Sequence, residues 1–341
     1  MYCPFLSIMA IINQSFIMID RLLAFIERHD LLILSTHDPA DADGLGSQMV
    51  LACVLRWKGK NFRIINASAI PKHFRSIDPL GLVEQWDDDR HGNLPEQAGF
   101  ILMDTADEVN TGKMKDVFYR AKEVFVIDHH EPKPVAAFQG IADPSAASTC
   151  EMVVEIAHAI GAVIDPQTAL SAYIGIAHDS GFFAYPKTGP KTLRSALILL
   201  ECGVNPTDVY RQLYENTSTE ALLLQQKALS SLTLYCGNRV AVQLLRMEDF
   251  TETCAAHDET DGFVNFPLKS KDVLVSLLLK ESPEGKVRCS LRSKGAINVA
   301  KIAQDLGGGG HVNASGFKSD LNIEQTVEQA IKAITKILDI P

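Results

Sequence analysis

The sequence lacks any CxxC pair: its seven cysteines, at positions 3, 53, 150, 202, 236, 254 and 289, are odd in number and scattered. A disulfide framework or a zinc knuckle is therefore not expected, and a reducing cytoplasm is the expected setting. Positive charge is also short. Lys and Arg number 32 against 42 Asp and Glu, a net charge of −10, and the isoelectric point is near 5.5. A protein that coats long nucleic acid needs a broad basic surface, which this balance does not supply. It leaves room for a small anion held by metal ions and a few placed cations. Apolar runs are short and broken by polar residues, well under the roughly 18–20 residues of a spanning helix, so no membrane is expected as a partner. The apolar start, MYCPFLSIMAIINQSFIMID, has no basic leading region and no clear small-residue cleavage site, unlike a signal peptide. Residues 1–17 read as an extension, with Met9 and Met18 as alternative starts. No internal repeat or low-complexity segment is visible.

What is there is a globular composition: 341 residues, 46% hydrophobic and 22% charged. That length suggests two domains, each able to bury a core. From Leu31, short apolar runs alternate with amphipathic stretches. LLILST (31–36), FRIIN (62–66), AGFILMD (98–104) and EVFVID (123–128) read as strands, and LGSQMVLACVLRWK reads as a helix stopped by Gly59. Strands apolar on both faces, alternating with helices, predict an α/β fold with a mostly parallel sheet and flanking helices. Helices are expected near 149–161, 167–178 and 190–202, the first capped by Ser148 with Glu151 three residues on. A linking helix is expected within 216–235, joining a first domain over 18–215 to a smaller α/β domain over 236–335. The latter is marked by strand-like RVAVQLL (239–245), KDVLVSLLLKE (271–281) and KVRCSLRS (286–293).

In parallel sheets, ligands sit beyond the carboxyl ends of the strands, and the ionisable residues are placed there. His37 follows the first strand, Asp104 ends the third, and Asp128, His129 and His130 end the fourth. The loop HDPADADGLGS carries His37, Asp41 and Asp43 into a glycine-containing turn at a helix start. Carboxylates suit hard divalent cations, and imidazole adds a preference for Mn, Fe or Zn over Ca. By itself an acidic loop is more often solvated or a helix cap. Here Asp104 closes an apolar strand where an unpaired carboxylate would be costly, and His178-Asp179-Ser180-Gly181 end another helical stretch. His178 reads as a neighbour of Asp179 rather than a ligand, because adjacent helical side chains diverge.

The motifs HDPADADGLGS, LMDTAD, IDHH and HDSGFF, followed by GGGGHVNASGF, resemble the DHH phosphoesterase superfamily with its C-terminal DHH-associated domain. Within it the likeness is to nanoRNases and pAp phosphatases, relatives of RecJ-type exonucleases, and it spans about residues 20–330. The resemblance implies two Mn²⁺, with Mg²⁺ or Co²⁺ as substitutes. His37, Asp41 and Asp104 would hold one ion; Asp43, Asp104, His129 and Asp179 would hold the other. Asp104 would bridge, Asp128 would orient the neighbouring histidines, and His130 would contact the scissile phosphate. Such a two-metal site deprotonates a bridging water that attacks phosphorus. The chain departs from the family's usual loop at Asp38 and at Ala40-Asp41-Ala42, and reads HHEPKP where an Asn commonly follows the triplet.

In the second domain, strand alternation turns Val287, Cys289 and Leu291 one way and Arg288, Ser290 and Arg292 the other. Two guanidinium groups on one face suit a phosphate. Gly307 closes a helix, and Gly308, Gly309 and Gly310 lead into His311; glycines let backbone N–H groups approach an anion. In the family this turn and its histidine grip a nucleotide. Asp87-Asp88-Asp89 and His257-Asp258-Glu259 read as solvated loops, His73 and Arg75 as bystanders, and Phe182 and Phe183 as core.

The reading that follows is a Mn²⁺-dependent phosphoesterase trimming short oligonucleotides to nucleoside monophosphates, with pAp to AMP as a second reaction. Alternatives are a cyclic or linear dinucleotide phosphodiesterase, a RecJ-like single-strand exonuclease, and an inorganic pyrophosphatase, disfavoured because the chain has no RKK run. Partners are short oligonucleotides or small nucleotides, with no long duplex and no membrane, and a homodimer is left open.

Overall fold

The computed structural model describes residues 19–130, 139–260 and 262–338. The expected extension 1–17 and the EPKP segment lie outside the described residues. The chain divides into two compact units, Met1–Glu215 and Asn216–Pro341. No helix of the described residues is long and apolar enough to cross a membrane.

In chain order the first unit has α1 (19–27), β1 (Leu31–Thr36), α2 (Ala42–Trp57), β2 (Asn61–Asn66), β3 (Val83–Gln85), α3 (Asp88–His91), α4 (Leu94–Gln97) and β4 (Gly99–Met103). There follow α5 (Lys115–Arg120), β5 (Val124–Asp128), β6 (Gln139–Ala142), α6 (Thr149–Ala159), α7 (Pro166–Asp179), α8 (Pro190–Glu201) and α9 (Pro206–Tyr214). The strands form one sheet in the order β3-β2-β1-β4-β5-β6, every pair parallel. All five residues of β4 and of β5 are buried, as expected for a sheet covered on both faces. Leu32, Leu34, Ile101, Met103, Phe125 and Ile127 pack on one side, with α2, α6 and α7. Ile33, Phe100, Leu102, Val124 and Val126 pack on the other, with Trp86 and Phe118.

Chain order reverses between β1 and β4, since β2 lies on the far side of β1. A crevice opens at such a reversal beyond the strand ends. His37 and Asp104 leave the sheet at that point. Helix α2 is buried from Ala42 to Leu55, enclosed by the sheet and other helices, and is apolar on most of its surface apart from Asp43, Ser47 and Gln48. It crosses α7 closely: a Cβ on Gly175 would lie 2.5 Å from Cys150 Sγ and 2.9 Å from the Ala42 carbonyl oxygen. Only glycine fits there, and the contact holds the helices that carry Asp43 and Asp179.

The second unit runs α10 (Thr219–Ser230), β7 (Thr233–Tyr235), β8 (Val240–Leu245), α11 (Met247–Thr253), β9 (Val275–Glu281) and β10 (Val287–Ser293). It continues with α12 (Val299–Asp305), β11 (Gly309–His311), β12 (Ala314–Ser319) and α13 (Ile323–Ile337). Its sheet has the order β11-β12-β10-β9-β8-β7, parallel only at β8–β9. Helix α13 buries Ile323, Val327, Ala330 and Ile334, one stripe at helical spacing, against Val275, Leu277 and Leu279.

Candidate metal centre

Asp41 caps α2: its Oδ1 accepts from the backbone N–H of Asp43 and of Gly44, both at 3.0 Å. The side chain of Asp43, in the first turn, is wholly buried and faces the start of α6, where the N–H groups of Thr149 and Cys150 donate to it at 2.6 and 2.8 Å. Ser148 caps α6 as expected, accepting from the Glu151 N–H at 3.0 Å. One buried carboxylate thus ties the starts of two helices to one point, where N-terminal dipoles favour negative charge.

Asp104 follows β4 with φ of 62°, held by its N–H donating to the Ile127 carbonyl at 2.9 Å. Its two oxygens face different partners. Oδ2 lies 3.4 Å from His37 Nε2, and Oδ1 lies 3.4 Å from His129 Nε2. The Thr149 hydroxyl donates to that Oδ1 at 3.0 Å. His37 Nε2 is also 3.5 Å from Asp41 Oδ1. His129 Nε2 has Asp179 Oδ2 at 3.3 Å and Asp43 Oδ2 at 3.8 Å. Although three carboxylates surround it, His129 Nε2 is buried and meets none of them in hydrogen-bonding geometry. A buried nitrogen left unpaired among carboxylates is costly, and a cation at their centre would satisfy all of them.

Ligand atoms converge to within 4.8 Å of one another in four overlapping triads: His37, Asp41 and Asp104; Asp43, His129 and Asp179; Asp104, His129 and His130; Asp41, His178 and Asp179. All six residues named as ligands from the sequence are therefore brought together. His178, set aside in the sequence reading, also joins: its Nδ1 is 3.2 Å from Asp179 Oδ1. At the last turn of a helix adjacent side chains can still reach one centre, which the rule of diverging neighbours overlooks. Thr149 was missed as well; its signal was its place as the first residue of a helix starting at the strand ends. Asp128 spends its hydrogen bonds on His130, accepting from the backbone N–H at 3.1 Å and pairing with ring Nδ1 at 2.8 Å. The ring of His129 is met instead by the Ala146 carbonyl, 3.4 Å from Nδ1.

The charges are strongly coupled. Burial pushes Asp43 well above the usual carboxylate range, and the charges of Asp104 and Asp179 push it further. Burial raises Asp104 to about 7 despite the pull of His37. Burial opposes charge on His37, but Asp104 and Asp41 override it and lift the ring to about 11. Burial likewise opposes charge on His129, which Asp179 and Asp43 lift to about 9. Against burial, His129 and His178 hold Asp179 below the usual range. Crowded carboxylates with raised pKa values and imidazoles beside them are a donor set for a hard or borderline divalent cation.

In the second unit β10 alternates as expected, with Val287, Cys289 and Leu291 buried and Arg288 exposed. Arg288 Nη2 lies 3.6 Å from Glu284 Oε2, and Arg292 Nη1 donates to the Leu291 carbonyl at 3.0 Å. The glycine run is not a flexible turn. Gly307 closes α12, and Gly309–His311 form an edge strand paired with β12. A Cβ on Gly308 would fall 2.1 Å from the Gly316 carbonyl oxygen, and one on Gly310 2.6 Å from that of Ala314. The side chain of His311 lies outside what the structure describes. Two acidic runs read as solvated also have local work. Asp87 caps α3 by accepting from the Arg90 N–H at 3.0 Å, and Glu259 accepts from the Ser218 hydroxyl at 2.7 Å. Phe182 and Phe183 are half-buried, with Phe182 edge-on to Tyr210 at 5.3 Å. His73 packs beside Phe74, whose ring meets His178 edge-on at 5.4 Å.

Residues 32–176 match the family described as DHH family, N-terminal domain, and residues 238–339 match the DHHA1 domain. Among curated proteins the chain is 29% identical over 309 residues to the bifunctional oligoribonuclease and PAP phosphatase NrnA of Thermus thermophilus, covering 90% of each. It is 27% identical over 302 residues to the protein of that name in Bacillus subtilis, 87% of this chain and 91% of that one. It is also 28% identical over 255 residues to the cyclic-di-AMP phosphodiesterase PdeA of Listeria monocytogenes, 71% of this chain but 36% of that protein. The crystal structure of an exopolyphosphatase-related protein from Bacteroides fragilis superposes with a TM-score of 0.86 at 27% identity, over 93% of this chain and 95% of that one. With both units matched in this order, the chain is built from a DHH family N-terminal domain followed by a DHHA1 domain.

Proposed function

We propose that the chain is a Mn²⁺-dependent phosphoesterase that hydrolyses short oligonucleotides to nucleoside monophosphates and pAp to AMP. The observation that carries this reading is Asp104, whose two oxygens each face a separate histidine-containing group. Two cations there would share that carboxylate, with His37 and Asp41 on one side and Asp43, His129 and Asp179 on the other. Such a pair supplies charge neutralisation on a phosphoryl group and an activated water. The protein's own part is positional. Asp43 and Thr149 lock the cluster to α6, and Asp128 holds His130, whose side chain is 43% exposed, toward an incoming phosphate. Arg288, Arg292, Gly308, Gly309, Gly310 and His311 are assigned to nucleotide binding. The substrates follow the names of the NrnA relatives. The six cysteines among the described residues are free thiols, which supports a reducing, cytoplasmic setting. The likeness to PdeA favours dinucleotide hydrolysis as a second reading.

One assay series separates these. Purified protein with Mn²⁺ is given pAp, pGpG, cyclic di-AMP, a labelled 3-mer, a 24-mer and pyrophosphate. Turnover of the 3-mer and pAp, abolished by EDTA and restored better by Mn²⁺ than by Ca²⁺, is the expected result. Turnover of pyrophosphate alone, or full activity in EDTA, would overturn the proposal.

A further inference from the structure

Between α7 and α8 the chain makes a strained turn beside the acid and histidine cluster. Gly181, Phe182 and Phe183 take successive φ values of 57, 53 and 68°, a region that non-glycine residues occupy at a cost. The turn is held firmly. The Phe183 N–H donates to Ser180 Oγ and the Tyr185 N–H to the Ser180 carbonyl, both at 2.9 Å. The Tyr185 ring lies so near Gly181 that a Cβ there would approach it to 2.4 Å. Strain of this kind persists only where the surrounding structure holds it, and the turn sets the course of the segment that follows.

That segment carries Lys187. The Nζ atom donates to the backbone carbonyl of His129 at 3.3 Å, which sets an ammonium on the residue at the centre of the cluster. That hydrogen bond uses one of three donors, and the side chain is exposed. The next residue, Thr188, carries a buried hydroxyl with no hydrogen-bond partner among the described residues, a second donor on the same segment. Charge balance gives the ammonium a task. The carboxylates of Asp41, Asp43, Asp104 and Asp179 would neutralise two divalent cations completely, while a phosphate ester arrives with negative charge of its own. A fixed cation beside the reacting group is what stabilises charge that grows on a phosphoryl oxygen.

We propose that Lys187, steadied on the His129 carbonyl, contacts a non-bridging oxygen of the phosphate that the cluster hydrolyses. The inference rests on the hydrolytic reading above, and its test has a readout that does not require turnover. Lys187→Gln keeps a donor for the His129 carbonyl and loses the charge; Lys187→Arg keeps the charge. In the Mn²⁺-loaded full chain, binding of inorganic phosphate and of AMP is measured by titration calorimetry, beside metal content and kcat and KM on a 3-mer. For Lys187→Gln the expected result is full metal content, phosphate binding about tenfold weaker, and kcat/KM lower by about 10- to 100-fold, the scale of one hydrogen bond to a charged group. Lys187→Arg should recover most of both. Wild-type phosphate affinity and kcat/KM in Lys187→Gln would overturn the proposal, as would loss of metal from it, since that marks a purely structural tie. Failure of Lys187→Arg to recover either value would also overturn it. If the wild type hydrolyses no ester yet Lys187→Gln weakens phosphate binding, the reaction assignment fails and the phosphate contact stands.

Discussion

Changing Asp104 to Asn keeps the side-chain shape and removes its charge, and the effect on stability should reverse sign with metal. Asp104 is 1% exposed, and burial raises its carboxyl from 3.8 to about 7. Between those values the folded protein keeps a proton that the unfolded chain has released. Stability therefore falls as pH rises through that window and stays low above it. Holding that proton across the window is worth on the order of 4 kcal/mol at 1.36 kcal/mol per tenfold change in proton activity. The net gain from Asn is smaller, because His37 loses one of its two carboxylate partners. The raised pKa of His37 contributes stability that is complete below about 6.5 and lost as pH rises toward about 11. A gain on the order of 2 kcal/mol is expected at pH 8, roughly 4–8 °C in Tm for a unit of this size, and little or none near pH 4.

Metal reverses the order. A ligand at 100 times its Kd adds about 2.7 kcal/mol to the protein that binds it, and Asn offers no anionic oxygen to either side. The assay is thermal unfolding at pH 5 and pH 8, in EDTA and in Mn²⁺, with metal content measured on the same samples. A wild-type rise in Tm with Mn²⁺ for Asp104→Asn would refute the shared-carboxylate geometry. A lower Tm than wild type in EDTA at pH 8 would refute the burial argument.

Gly175→Ala should cost about 1–3 kcal/mol by overpacking the α2–α7 contact and weaken metal binding with it; an unchanged denaturant midpoint would contradict the close approach. His311→Ala and Arg292→Ala should raise KM while metal content stays at the wild-type level, and a loss of metal would show that these residues do not act on the nucleotide alone. A 24-mer should be cleaved with a kcat/KM about tenfold or more below that of a 3-mer, roughly 1.4 kcal/mol. The reason is that a chain of net charge −10 repels the extra phosphates of a longer polyanion on balance. Equal rates with a steep salt dependence would point to a processive exonuclease.

The central strands were legible because each is an apolar run that must be covered on both faces. LLILST, FILM and VFVID read as interior strands of a parallel sheet by their length and alternation with helical stretches, and their ends carried the ionisable residues. The short strands β3 and β6 were not legible: VEQ and QGIA have no apolar pattern and are strands only because β2 and β5 offer them partners. The glycine run read as a turn for the same reason, since its strand character comes from pairing with β12.

The kinds of group at the site, carboxylate and imidazole at strand ends, were determined by the sequence alone, because an apolar run that stops at Asp or His dictates where that residue leaves the core. Which atom faces which was decided only by the tertiary structure. His37, Asp104 and His129 are far apart in the chain, and no local propensity relates them. The side-by-side packing of β1, β4 and β5 sets their separations, and the reversal of chain order at β1 opens the space between them. The same holds for the two oxygens of Asp104, the preference of Asp128 for His130, and the arrival of His178 and Lys187. Each depends on where a neighbouring element puts its backbone, and that is fixed by packing across the whole unit.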